Sequence, residues 1–150
     1  MIKGSRHKAR RAAVQALYQW QLTREPPVGT ETHFGLEQEL ANIDMEYFQQ
    51  LVAEIPRQCA ALDQSLRPHV DRALEDIDPV ERAILWLGAY ELEFRPEIPY
   101  RVVLDEAVEL AKTFGAEHGH KYVNAVLDKM ALRLRANEIK AGQARSSTTV

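Results

Sequence analysis

The chain has 150 residues, of which 45% are hydrophobic and 27% charged, with a formal net charge of −3. This is ordinary for one globular domain and gives no sign of a second. Its single cysteine, Cys59, excludes an intramolecular disulfide framework, a zinc-finger spacing and a CxxC redox pair, so we expect a reducing, cytoplasmic setting. No apolar run approaches the roughly 20 residues that a membrane span needs.

Positive charge is concentrated at the N-terminus. The first 24 residues contain six basic residues and no acidic one, whereas the other 126 carry 13 basic and 22 acidic residues. A cationic head on an anionic body indicates a partner of negative charge. Mitochondrial presequences are also rich in Arg and poor in acidic residues. Leu17 and Trp20, however, are suited to packing within a fold, which disfavours a presequence that is cleaved off.

The first predicted element is an amphipathic helix from about Ser5 to Trp20. At about 100° per residue, the inward face is apolar: Ala9, Ala13, Ala16, Leu17 and Trp20. The other face is polar and mostly basic: His7, Lys8, Arg11, Gln15 and Tyr18. Cations that track phosphates, beside an aromatic ring that stacks on unpaired bases, are typical of single-stranded nucleic-acid binding. On these residues alone, an anionic membrane or an acidic protein would be attracted equally well.

Turn residues and helix caps divide the middle of the chain. Prolines and glycines predict a loop over 25–35. Asp44 is placed to cap a second helix, which Pro56 is expected to kink or end before a further amphipathic piece. A third helix, apolar over a wide arc, begins at a capping signal formed by Asp78, Pro79 and Glu81.

The last third of the chain is also helical in period. A fourth helix is predicted from about 101 to a cap at Gly115, and another from about 118 to 135. From Asn137 the apolar period is lost. No alternating strand pattern occurs, so the sequence predicts an all-α fold, with one helical domain over 1–136 and a disordered tail over 137–150.

The histidines and carboxylates of the chain do not form a catalytic or metal-binding pattern. His118 and His120 are two positions apart, which on a helix separates them by about 200° rather than bringing them to one metal. The carboxylates of the fourth helix, Asp105, Glu106 and Glu109, fit a solvent face near a helix start. No Gly-rich phosphate loop or nucleophile elbow is present. We therefore predict no catalytic residue, no metal, no cofactor and no enzyme.

Three stretches of the sequence resemble one family. They are "RAAVQALYQWQL", "DPVERAILWLGAYEL" and "IPYRVVLDEAVELAKTFGAEHGHKYVNAVLDKMA". They are similar to NusB, the bacterial transcription antitermination family, and the similarity extends over 5–134 with a variable part between 24 and 72. It implies two packed three-helix bundles and no catalysis. It also implies binding to the boxA element of nascent RNA, notably of ribosomal RNA operons, with ribosomal protein NusE, RNA polymerase and other Nus factors.

The resemblance also implies which residues bind. The expected RNA-binding residues lie on the first helix and around the start of the last: Arg6, Lys8, Arg10, Arg11, Gln15, Tyr18, Phe114, His118, Lys121, Tyr122 and Asn124. The expected partner-binding residues are Glu81, Tyr100 and Glu106. From sequence alone, Tyr100 fitted a packed interhelical turn better than a docking rim, and the resemblance reverses that order.

Two residues depart from the family pattern, and two alternatives stay open. His118 stands where members often have an acidic residue, and Tyr122 where they often have Phe; neither change should weaken RNA binding. Four phosphate contacts from the basic helix would give a salt slope near −3. The competing interpretation is a helical adaptor whose basic helix docks on an acidic protein or anionic surface. Some members dimerise over the basic helix, and the sequence leaves a homodimer open.

Overall fold

Six α-helices form the structure, a computed structural model that describes residues 5–25, 42–115 and 118–148. They are α1 (Arg6–Thr23), α2 (Met45–Leu66), α3 (Pro79–Phe94), α4 (Tyr100–Phe114), α5 (Gly119–Leu134) and α6 (Ala136–Thr148). Two 3-10 turns, Arg67–His69 and Leu74–Asp76, connect α2 to α3. Within those described ranges no strand occurs, and one isolated bridge pairs Ser5 with Ile43. The predicted all-α class is confirmed.

Helix α3 is the centre of the fold. It is buried almost all round, and it packs against α1 and α2 on one side and against α4 and α5 on the other. The implied pair of three-helix bundles thus takes the form of two groups, α1–α2–α3 and α3–α4–α5, that share α3. This arrangement brings the basic first helix within reach of α4.

The helix starts follow the predicted caps. The Asp44 carboxylate accepts from the Tyr47 N–H at 3.1 Å, and the Asp78 carboxylate accepts from the Val80 N–H at 2.9 Å. Such caps satisfy N–H groups that the helix leaves unpaired. The Glu81 side chain does not complete a capping box, because its carboxylate lies against Gly119 of α5.

Helix α2 passes through Pro56, where the sequence predicted a kink or an end. One helix spans the two expected pieces and ends only at Leu66. Proline in a helix interior removes one backbone hydrogen bond and crowds the preceding turn. Fully buried side chains on both sides of it, among them Ile55 and Leu62, hold the helix together because packing outweighs this local cost.

The segment from Asn137 is helical, so the prediction of a tail without structure is wrong for the described part of it. Helix α6 follows α5 after a single residue, Arg135, whose guanidinium bonds to the Glu138 carboxylate at 2.6 Å. The other Glu138 oxygen accepts from the Tyr100 N–H at 2.8 Å. These bonds attach the first turn of α6 to α4; the division into 1–136 and 137–150 as domain and tail stays a prediction.

Two further sequence predictions concern the loop over 25–35 and membrane-spanning helices. Most of the predicted loop over 25–35 lies outside the described residues. Among the helices that are described, none combines the length and apolarity needed to cross a membrane.

Candidate nucleic-acid interface

The N-terminal end of α1 is built to attract anions. The Ser5 hydroxyl accepts from the Lys8 N–H at 3.1 Å, which caps the helix. The first turn contains no acidic residue, and Lys8 itself is exposed. Because a helix N-terminus carries partial positive charge, this cation adds to a potential that already favours phosphate.

A polar stripe follows on the same helix. Arg11, Gln15 and Tyr18 are spaced by four and three positions, so they share one side of α1, and all three are half-buried. The Arg11 guanidinium lies over the Phe114 ring, 5.8 Å from its centroid. This contact places the stripe beside the C-terminal end of α4, as the resemblance implied for Phe114.

The start of α5 contributes exposed polar groups next to Phe114. His118, Lys121 and Asn124 are exposed, whereas Tyr122 is half-buried. Tyr122 and Asn124 lie on opposite sides of the helix, because two positions turn it by about 200°. Asn124 and Tyr122 therefore do not share one contact surface.

Tyr122 faces the connection between α2 and α3. The Arg72 guanidinium covers its ring at 4.6 Å from the centroid, and Arg72 also bonds to the Asp71 carboxylate at 2.8 Å. Stacking of a base on Tyr122 would require Arg72 to move or the base to use the other ring face. Sequence reasoning missed Arg72, because nothing in the pattern connects it to α5.

Arg10 does not fit its expected role on the RNA surface. It is only 4% exposed, and its Nε donates to Oε2 of Glu91, which is fully buried, at 2.8 Å. The Tyr47 hydroxyl donates to the same oxygen. Burial and the neighbouring Glu91 raise the pKa of Tyr47, so it stays a donor. Arg10 is thus a core residue that joins α1 to α3.

Arg6 is intermediate between a buried, paired arginine such as Arg10 and an exposed cation such as Lys8. Its Nε is 3.7 Å from the Asp44 carboxylate, and its guanidinium lies over the Tyr47 ring at 4.5 Å, yet the side chain is 40% exposed. The contacts hold Arg6 against the start of α2. It reaches RNA only by giving up some of them.

His7 links the basic helix to α4. Its Nδ1 is 2.6 Å from Oε2 of Glu106, whose other oxygen is 3.8 Å from Nη1 of Arg10. Glu106 is therefore engaged by α1 in the free chain, although it remains partly exposed. In the sequence, the lack of acidic residues within the first helix is the one sign that its cations pair with another element.

The three expected partner residues differ in accessibility. Glu81 is 8% exposed, and burial, followed by the charge of Asp78, raises its pKa. It therefore does not fit a direct partner contact. Tyr100 is half-buried at the start of α4, and Glu106 is partly exposed further along the same helix. These two remain candidates for a protein contact.

Metal binding finds no support among these groups. In the part of the chain that the structure describes, no three His, Cys, Asp or Glu side chains are placed to hold one ion. The site is instead a cationic surface with aromatic rings and amides on it. Its chemistry suits phosphates and unpaired bases.

Comparisons with known proteins give the family of the chain. The NusB family model matches residues 7–132. The transcription antitermination protein NusB of Nitrosococcus oceani is 52% identical over 140 residues, covering 93% of this chain and 94% of that protein. NusB of Shewanella amazonensis is also 52% identical, over 89% of this chain and 99% of that protein.

Solved structures are similar as well. A structure of T. maritima NusB superposes with a TM-score of 0.73 at 31% identity, covering 87% of this chain and 92% of that one. A complex of NusB and NusE with double-stranded RNA gives 0.74 at 31% identity, covering 83% and 94%. Family model, sequence and fold coincide over most of the chain, which belongs to the NusB family.

Proposed function

We propose that this chain is a transcription antitermination factor that binds boxA-like RNA together with a NusE-like ribosomal protein. It acts in the RNA polymerase antitermination complex with other Nus factors, on nascent transcripts such as those of ribosomal RNA operons, and in the cytoplasm. It has no catalytic step and needs no cofactor. The observation that carries the proposal is the stripe of Arg11, Gln15 and Tyr18 beside the cationic start of α1, with Arg11 over the Phe114 ring.

Cations on this surface supply affinity. Lys8, Arg11 and Lys121 make no ion pair within the described part of the chain, so their charges are available to phosphates. Phosphate contacts position a strand without reading its sequence. The cations therefore hold the backbone of any single strand over the stripe.

Aromatic rings and amides supply sequence preference. Tyr18 and Phe114 offer ring faces to unpaired bases, and Gln15 and Asn124 offer amide donors and acceptors to base edges. Because stacking requires bases free of a duplex, single-stranded RNA is the preferred ligand. In a duplex of the same sequence the base faces are stacked on one another and are not available to the rings.

The partner is proposed to dock on α4. Tyr100 and Glu106 lie on this helix, in the anionic body of the molecule, which suits a basic protein such as a ribosomal protein. Since Glu106 also bonds His7 on α1, a partner at this position would lie close to the RNA helix. The two ligands would then form one composite surface.

The proposal is tested by titrating a boxA-like single-stranded RNA, a base-shuffled RNA and a duplex, with and without the NusE-like protein. We expect tighter binding of the unshuffled single strand, strengthened by the partner. Tyr18→Ala should cost about 1 to 3 kcal/mol if a base stacks there, whereas Tyr18→Phe keeps the ring face. Lys112→Gln, on the acidic solvent face of α4, is the matched control and should bind as the parent chain does.

A charge-only adaptor predicts a different result. Such a protein has no means of distinguishing base order, so shuffled and unshuffled RNA would bind alike and Tyr18→Ala would change neither. That outcome would reject the sequence-reading function. It would leave the basic helix as a docking surface for an acidic protein or another anionic surface.

A further inference from the structure

A second group of cations lies along α5, beyond the surface described above. Lys129 and Arg133 are four positions apart, so they share one side of the helix, and both are exposed. In the described ranges neither forms a hydrogen bond or an ion pair through its side chain. Other arginines of the fold, such as Arg72 and Arg82, are paired with carboxylates. Within those ranges, these two positive charges therefore have no carboxylate paired with them.

His69, in the 3-10 turn after α2, lies next to this pair. Its Nε2 is buried and has no hydrogen-bond partner. Burial, followed by the positive charges of Arg133 and Lys129, lowers the pKa of His69, so the ring is neutral at pH 7. The positive potential of Lys129 and Arg133 thus disfavours a third positive charge, that of a protonated His69 ring.

The pair continues the surface at the start of α5. His118, Tyr122, Lys129 and Arg133 all fall on one side of the helix at about 100° per residue. From Tyr122 to Arg133 the distance along the axis is about 16 Å. We name this side, from Tyr122 to Arg133, the α5 strip. A strand that leaves the proposed RNA site past His118 would run along it.

A depression widens the far end of the α5 strip. It has a volume of about 420 Å³ and is lined by Ala61, Gln64, Ser65, Pro68, Glu93 and Arg133. Glu93 is its acidic member, and its carboxylate accepts from the Ser65 hydroxyl at 3.3 Å. No carboxylate of the described residues forms an ion pair with the Arg133 guanidinium, so a phosphate has a cation to meet there.

We propose that the α5 strip binds the backbone of single-stranded RNA flanking the boxA-like element, through phosphate contacts of Lys129 and Arg133. This inference rests on the proposed function, since it extends the same strand. The contacts are independent of base sequence, because side chains that meet phosphates position a strand without reading its bases. The chain thus holds a longer transcript segment than the one it reads.

The test compares boxA-like RNA with the same RNA bearing a tail of about six unpaired, unstructured nucleotides at its 5′ or 3′ end. Phosphates of a stacked strand are about 3.4 Å apart, so this tail is longer than the strip. We expect one of the two tailed RNAs to bind tighter than the untailed RNA. Lys129→Gln/Arg133→Gln should remove that gain, by about fivefold for each lost contact at 0.1 M salt, and leave untailed binding unchanged.

A charge-matched control is available on α4. Arg101 and Lys112 are exposed on its solvent face with Asp105 and Glu109, so Arg101→Gln/Lys112→Gln removes the same charge elsewhere. This variant should keep the full gain from the tail. Equal loss in both double variants would mean that net charge alone is acting, and would overturn the inference.

Failure of the inference is distinct from failure of the proposed function. If the untailed RNA binds with sequence preference but neither tail adds affinity, the α5 strip does not bind RNA and the boxA site stands. If the untailed RNA shows no preference, the proposed function fails first, and the extension with it. Loss of binding to an acidic polypeptide such as polyglutamate in the double variant, without any effect of a tail, would assign the strip to a protein instead.

His69 gives an independent readout at the strip. Phosphates that neutralise Arg133 and Lys129 remove the repulsion that lowers its pKa. An NMR titration of the His69 ring should therefore show a higher pKa with the tailed RNA than with the untailed one. An unchanged His69 titration beside a tail-dependent gain in affinity would place the tail somewhere else and overturn the assignment.

Discussion

At the scale of single residues, Arg10 separates a structural cation from an RNA-binding one. Arg10→Gln removes the charged partner of the fully buried Glu91, whose Oε1 already has no hydrogen-bond partner. Removing one member of a buried ion pair typically costs about 3 to 5 kcal/mol of folding free energy. Urea unfolding should show this loss for Arg10→Gln.

The neighbouring Arg11 is the control for that measurement. Arg11→Gln loses only a contact with the Phe114 ring, worth about 0.5 to 1 kcal/mol at a partly exposed site, while its RNA affinity falls about fivefold at 0.1 M salt. An Arg10→Gln chain of unchanged stability and reduced RNA affinity would contradict the structure. Arg10 would then belong to the RNA surface, as the sequence predicted.

The angular pattern of α1 predicted much of this helix but not Arg10. Projection at 100° per residue correctly assigned Ala9, Ala13 and Leu17 to the core. Arg10 lies at the edge of that face, and its partner Glu91 is 81 positions away on α3. The pattern along one helix carries no record of such a contact. Glu91, an acid within a mostly apolar central helix, was the available signal of a buried charge.

At the scale of helices, Gly88 controls the spacing of α3 and α5. A Cβ atom at this position would lie 2.5 Å from Cδ1 of Leu127, which is fully buried. Alanine favours a helix by about 1 kcal/mol over glycine, but overpacking a core costs about 1 to 3 kcal/mol. We expect Gly88→Ala to lower the thermal midpoint.

Helix α6 offers the matched glycine. A Cβ atom at Gly142 meets nothing within 4 Å, so Gly142→Ala tests helix propensity without a clash. It should leave the midpoint unchanged or raise it slightly. A Gly88→Ala chain as stable as Gly142→Ala would show that α5 moves away from α3 at little cost.

The Arg135 side chain binds the C-terminal end of α3 through several hydrogen bonds. These bonds explain why the chain continues as the helix α6 directly after Arg135. Its guanidinium donates to the Leu92 carbonyl at 2.8 Å and to the Ile98 carbonyl at 2.9 Å, and it also bonds the carbonyls of Glu91 and Arg95. The Leu92 carbonyl depends on this donor because Pro96, four positions later, has no N–H, whereas the Glu91 and Arg95 carbonyls also accept from the N–H groups of Arg95 and Ile98. Arg135→Lys keeps the charge but loses the planar fork of donors.

We expect Arg135→Lys to cost about 3 kcal/mol of folding free energy, since buried carbonyls are left unpaired at about 1 to 3 kcal/mol each. Urea unfolding measures it, with Arg133→Lys as the exposed neighbour that should cost nothing. Stability equal to that of the parent chain would mean that the carbonyls find other donors. The sequence predicted a frayed segment here because it has no apolar period after Asn137. The segment is attached to the α3–α4 turn by the polar bonds of Arg135 and Glu138, which an apolar period does not reveal.

At the scale of the whole molecule, the charge asymmetry and the fold could be predicted from the sequence. Which cations pair within the fold, and which remain for RNA, could not. Amphipathic periods and caps predicted five of the helices, and three stretches indicated the family that the comparisons confirm. Pairing within the fold then divides the cations of the first helix. Arg10 forms an ion pair with Glu91, and Arg6 forms one with Asp44. Lys8 and Arg11 remain for contacts with RNA. Only three-dimensional contacts make that division.

This division sets the salt dependence of RNA binding. Four phosphate contacts from the first helix predicted a slope of log affinity against log salt near −3. The structure leaves Lys8 and Arg11 on α1 and Lys121 on α5, and three contacts at about −0.7 each give a slope of about −2 for untailed boxA-like RNA. Titration from about 0.05 to 0.2 M salt measures it. A slope near zero would remove the electrostatic part of the proposal, and a slope of about −3 that falls in Arg6→Gln would show that RNA draws Arg6 away from Asp44.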